Sequence, residues 1–261
     1  MMPFERLRAI ARHGADDRTL VTEAADCLAE FDDDPAGLVV TCRRLLHHHP
    51  ACGPLWWLCA RVLAAPDTSE AAWEAEARVS DDRTPTRLAA LLPFPHDTPI
   101  AVLGWPELAG EALATRPDLD VLAVRGHDGT DSWHRRLARS DATARPVDIM
   151  EANALEPSHL LAEIVAGSPT HALVTEGTTD LLRELTRPTT LVWLVAGVGR
   201  VLPARLFDVM MRQLDPADDH GFELLDLQIA DRVAGPTGLD RPDNLLRRID
   251  CPVAPELLRI T

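Results

Sequence analysis

Apolar residues recur at three- and four-residue spacing through the first ~90 residues, the signature of amphipathic helices. "LVTEAADCLAEF" (20–31), "AGLVVTCRRLLHHH" (36–49) and "LWWLCARVLAA" (55–65) each carry one apolar stripe, and Pro50 and Gly53-Pro54 interrupt the pattern between them. "SEAAWEAEARVSDD" (69–82) adds a helix with a serine at its start and a tryptophan on a polar, alanine-rich surface. The adjacent Trp56 and Trp57 point different ways on a helix. One is expected to pack inside, the other against a further element or a second subunit.

The texture changes at the proline-rich "LLPFPHDTP" (91–99). Short apolar runs then alternate with helical segments of about ten residues. "IAVLGW" (100–105), "LDVLAVRG" (119–126), "RPVDIM" (145–150), "HLLAEIV" (159–165), "THALVT" (170–175) and "TLVWLVAG" (190–197) read as strands. "PELAGEALATRP", "TDSWHRRLARS" (130–140), "TTDLLRELTR" (178–187) and "PARLFDVMMRQL" (203–214) read as helices. The pattern predicts an α/β fold: a helical N-terminal domain over 1–92, then a Rossmann-like, doubly wound, mainly parallel sheet over 93–261. The proline-punctuated tail "CPVAPELLRIT" is expected to pack as an extended arm.

Composition narrows the chemistry. The 261 residues carry a formal charge of −15, which argues against nucleic acid as a partner. All 26 basic residues are arginine and tyrosine is absent, so Schiff-base lysine, P-loop lysine and tyrosine acid–base chemistry are excluded. A bound phosphate would rest on arginine, hydroxyls or backbone N–H groups. No apolar stretch reaches the roughly 18 residues of a membrane span and no signal-peptide pattern opens the chain, so a cytoplasmic protein is expected. The five cysteines form no CxxC pair and read as reduced, buried side chains. The run His47-His48-His49 before Pro50 reads as a helix end rather than a metal site, and neither metal nor cofactor is expected.

Two loops hold candidate chemistry. "RGHDGTDSWH" (125–134) follows a strand, where α/β proteins place ligands, and Arg125 there suits a bidentate phosphate clamp. "AGVGRVLP" brings Gly197, Gly199 and Arg200 to the end of another strand. It has only two of the three glycines of a dinucleotide motif, with Pro203 just beyond the third place.

The order of these elements, over residues 90–235 and more faintly over the helical start, resembles the family uniting the regulatory subunits of initiation factor 2B with methylthioribose-phosphate and ribose-bisphosphate isomerases. The segments that carry it are "IAVLGWPELAGEALA", "LDVLAVRGHDGTDSWHRRLA", "HLLAEIVAGSPTHALVTEGTT" and "LVWLVAGVGRVLP". The resemblance implies losses at the isomerase site. Leu103-Gly104-Trp105 stands at the cysteine-bearing loop, and Glu163 stands for the aspartate of Gly-Ala-Asp. Val174 and Thr175 replace the asparagine and lysine before Gly177 and Thr178, and Arg125 stands for the arginine of the second strand. It therefore implies a non-catalytic relative, typically a homodimer, that binds a phosphorylated sugar or nucleotide-like metabolite, or a partner protein. Trp105, Arg125, Gly177, Thr178, Gly197, Gly199 and Arg200 would form the binding site. Two alternatives stand beside it. One is a divergent aldose–ketose isomerase with Glu163 as base and His127 or Asp128 as its complement. The other is an interaction protein whose crevice is filled by side chains such as Trp105.

Overall fold

The computed structural model describes residues 16–92, 99–126, 132–140, 142–214, 221–245 and 249–259, and among these five α-helices precede the first strand. They are α1 (Asp17–Leu28), α2 (Pro35–His48), α3 (Gly53–Ala64), α4 (Thr68–Ser80) and α5 (Thr84–Leu91). Aspartates start three of them: Asp16, Asp34 and Asp67 accept hydrogen bonds from the N–H groups of Thr19, Gly37 and Glu70. The histidine run ends α2, as expected, with His49 as its C-cap.

Strands then alternate with helices: β1 (Ile100–Leu103), α6 (Glu107–Ala114), β2 (Val121–Val124), α7 (Ser132–Arg139), β3 (Ala144–Val147), α8 (Ile149–Ala154), β4 (His159–Gly167), β5 (His171–Thr175), α9 (Thr178–Leu185), β6 (Leu191–Val195) and α10 (Ala204–Gln213). After α10 come β7 (Phe222–Asp226), β8 (Arg232–Gly235), β9 (Gly238–Asp240) and the short α11 (Pro242–Leu245). The main sheet runs β3-β2-β1-β4-β6-β8-β9, parallel throughout except for β9. The fold is therefore the expected doubly wound α/β sheet behind a helical region.

Side chains alternate across the sheet with period two, and each face has its own core. Ile100, Val102, Val121, Ala123, Leu161, Trp193 and Val195 pack under α5, α6 and Trp133 of α7. Ala101, Leu122, Val124, Leu160, Ala162, Val192 and Leu194 face α8 and α9. A third core joins α1–α4 to α10, the far end of β4 and the C-terminal segment through Cys251, Ala254 and Leu257.

Four details depart from the sequence reading. Ile149 and Met150, expected to end a strand, instead begin a helix, because Asp148 accepts a hydrogen bond from the Glu151 N–H and caps it. Strands β7–β9 have no counterpart among the sequence expectations. They are only three to five residues long, too short for a clear period, although Gly235-Pro236-Thr237-Gly238 is a hairpin signal. The C-terminal arm contains a 3₁₀ turn at Pro255–Leu258. Trp56 and Trp57 are both 0% exposed within this one chain. Trp56 Nε1 donates to the Pro50 carbonyl and Trp57 Nε1 to Asp250, so neither indole is available to a second subunit.

Helix α3 meets the sheet through Gly53, where an added Cβ would lie 2.7 Å from the Val165 carbonyl oxygen. Backbone cannot yield as a side chain does. Gly53→Ala is therefore expected to cost about 1–3 kcal/mol, read as a lower denaturant midpoint at unchanged m-value.

Candidate functional site

The chain runs outward from β1 to β3 and returns on the other side of β1 as β4, so the strand order reverses between β1 and β4. Open α/β sheets hold ligands outside the strand ends at such a reversal. A crevice lies there, lined by Leu103, Gly104, Trp105, Trp133, Arg136, Glu163, Glu176 and Thr178 among others. Its volume of about 110 Å³ is small, below the roughly 300–1,000 Å³ of ordinary small-molecule sites. Trp105 and Trp133 are both buried and supply much of its wall.

Glu163 sits where β4 changes role. Up to Glu163 the strand pairs in parallel with β6, and from Ile164 it turns, through an irregularity, to pair antiparallel with β5. Both carboxylate oxygens are engaged. Oε2 accepts the backbone N–H groups of Leu108 and Ala109, at 2.8 and 3.0 Å, in the first turn of α6. Oε1 accepts from Arg200 Nη1 at 2.9 Å. Glu163 thus occupies the positive end of α6, the place where a phosphate would sit.

Arg200 follows the Gly197-Val198-Gly199 turn and is 4% exposed. Besides Glu163 it reaches the Ile164 carbonyl at 2.8 Å, Glu107 at 3.1 Å and Asp17 at 3.2 Å. Burial opposes its charge. The surrounding carboxylates, Glu163 foremost, more than offset that and hold its pKa above the ordinary arginine value. Glu107 moves the other way. Burial, with the neighbouring Asp17, Glu163 and Asp16, raises its pKa to about 7 against the pull of Arg200.

The other two backbone cradles at this end of the sheet are held in the same way. Gly177, at φ +88° in the left-handed region, turns the chain into α9, and the Thr179 N–H there donates to Glu223 of β7 at 2.6 Å. The Thr178 hydroxyl is turned back to the Thr175 carbonyl. In the glycine turn the Val198 N–H donates to Asp82 at 2.8 Å. A Cβ on Gly197 would lie 2.5 Å from Asp82 Oδ2 and from Leu108 Cδ1. One on Gly199, at φ +74°, would lie 3.1 Å from Pro54 and 3.2 Å from Trp57. The chain's own packing thus accounts for both glycines. The turn also borders a second cavity of about 350 Å³, shared with Arg78, Gly235, Thr237, Asp240 and Asp250.

The structure therefore gathers Trp105, Glu163 and Thr178 at the first crevice and Gly197 and Gly199 at the second, with Arg200 buried against Glu163. Arg125 is exposed at the end of β2. Arg136, from α7, is the arginine that lines the crevice. His127 and Asp128 lie outside the described residues. Sequence reading missed Asp17, Asp82, Glu107 and Glu223, which come from elements far apart in the chain and share no spacing. The proline before Glu107 marked a helix start, and a carboxylate in a first turn was its only local signal.

No protein-family model matches this sequence, and no curated protein matches it significantly. Solved structures do. A crystal structure of translation initiation factor 2B from Pyrococcus horikoshii superposes with a TM-score of 0.73 at 12% identity, covering 94% of this chain and 98% of that one. The initiation factor 2B beta subunit of Chaetomium thermophilum gives 0.72 at 12% identity, over 98% and 91%. The tetrameric beta2–delta2 complex from the same organism gives 0.70 at 11%, over 94% and 92%. The likeness is one of fold. It bears out the architecture expected from the resemblance, the helical start included.

Proposed function

We propose that this chain is a non-catalytic protein built on the initiation factor 2B subunit fold, acting through contact with a protein partner rather than by turning over a sugar phosphate. One observation carries the reading: Glu163, Glu223 and Asp82, all from the chain itself, take the backbone N–H groups that would otherwise receive a phosphate. A general base needs a free acceptor facing the proton that it removes. Glu163 spends both oxygens on three charge-assisted or helix-end hydrogen bonds. Trp105 and Trp133 leave little room beside it. One of the similar structures is a tetrameric complex of beta and delta subunits, which favours an assembling role for this chain, with itself or with a relative.

Incubating the protein with a panel of aldose phosphates and following ketose formation tests the reading. No turnover above buffer is expected. Turnover that disappears in Glu163→Gln would overturn it and restore the isomerase alternative.

A further inference from the structure

The buried cluster around Arg200 joins four separate parts of the chain. Asp17 comes from the first turn of α1 and Glu107 from the first turn of α6. Glu163 comes from β4, and Arg200 from the turn after β6. One guanidinium faces three carboxylates. We infer that the first turn of α1 is a proton-operated latch on the sheet, held by Arg200 while Glu107 is protonated and loosened when Glu107 ionises. The inference does not depend on the functional reading above.

The carboxylates are not equally committed to Arg200. Glu163 is fixed from both sides, by α6 and by Arg200, and lies deep in the site. Glu107 belongs to α6, which is pinned between the sheet and α5. Asp17 and Glu107 are almost equally exposed, at 26% and 27% of their side chains, but α1 begins only one turn before its first buried residue, Leu20. Of the three carboxylates, Asp17 therefore sits on the least anchored backbone. Its neighbours fit a reversible contact. Arg18 reaches Glu111 of α6 at 3.6 Å between two exposed side chains, a weak pair. The flanking Asp16 adds negative charge. From α2 and the start of α3, His49 and the buried Cys52 thiol also face Asp17. None of these supplies a second strong cation for Asp17.

Linkage fixes the direction. Docking brings Asp17 and Asp16 beside Glu107 and shields it from water, so the docked state binds the proton on Glu107 more tightly than the undocked state does. Low pH therefore favours docking, and the contact weakens as pH rises through about 7. Each pKa unit of difference between the two states changes the docking equilibrium by about tenfold. Loosening would uncover the Arg200 guanidinium beside Glu163, a wall of the switch-point crevice. The latch thus couples solution pH to that crevice.

Amide hydrogen exchange on the intact protein reads this directly. The N–H of Leu20 bonds to the Asp16 carbonyl, and Val21 and Thr22 follow in the same helical register. After correction for the intrinsic rate, protection of these amides is expected to fall about tenfold between about pH 5.5 and about pH 8.5, while amides of β6 hold steady. Glu107→Gln should keep the high protection at both pH values. Asp17→Asn, which removes the held group at a partly exposed site, should show the low protection at both. Wild-type protection that is flat across this range overturns the inference. So does a pH step that survives in either variant.

Discussion

Replacing Arg200 with methionine is expected to lower the unfolding free energy by about 3–5 kcal/mol, the loss seen when one partner of a buried ion pair is removed. Methionine keeps the length and most of the packing, so the loss reports charge. Asp17, Glu107 and Glu163 would be left facing one another around a site that holds a single cation. The pKa of Glu107, already raised by burial and no longer lowered by Arg200, rises further in the folded variant, which then binds more protons than its unfolded chain. Its stability should consequently recover as pH falls toward 5, unlike that of a cavity variant. Arg200→Lys should recover only part of the loss. One ammonium cannot span Asp17, Glu107, Glu163 and the Ile164 carbonyl as a forked guanidinium does. Equilibrium denaturation of the three proteins at acid and neutral pH separates these outcomes.

Trp57→Ala should cost a similar amount, about 3–5 kcal/mol, for a different physical reason and without recovery in acid. The indole is 0% exposed in the core that joins the helical region to α10 and the C-terminal segment. Its ring lies 5.1 Å from the guanidinium carbons of both Arg61 and Arg78, and its Nε1 holds Asp250. It also abuts the backbone of Gly199. Trp73, on α4, is 59% exposed and serves as the control. Trp73→Ala should stay within about 0.5 kcal/mol of wild type. Equal losses at the two positions would contradict the packing described for α3.

The two energetic centres differ in how visible they are along the chain. The helices of the first ~90 residues and strands β1, β2, β4 and β6 carry strong periodic patterns, because each buries one stripe or one full strand. Strands β7–β9 do not, since each is only three to five residues long, too short to show a period. At the site, the resemblance brought Glu163 and Thr178 to the crevice now seen between β1 and β4. The partners that define their chemistry stayed hidden. Asp17, Glu107 and Glu163 converge on Arg200 only because the sheet reverses its order beside β1 and α1 lies across its end. Glu223 reaches α9 only because β7 pairs with β5. No sequence period encodes such meetings. The glycine turn shows the same limit: Gly197 and Gly199 look like a ligand motif in the sequence, and the packing of Asp82, Leu108 and Trp57 accounts for them in the fold.

The central claim is that the chain's own carboxylates fill the anion-binding positions of this sheet, and ligand-induced stabilisation measures it most directly. Thermal unfolding should be followed in the presence of inorganic phosphate, sugar phosphates and nucleoside phosphates. A ligand bound only by the folded state adds about 2.7 kcal/mol at a hundred times its dissociation constant. No saturable rise in Tm is expected with any of them. A saturable rise that Glu163→Gln or Thr178→Ala alters would contradict it and place a phosphate in the crevice between β1 and β4.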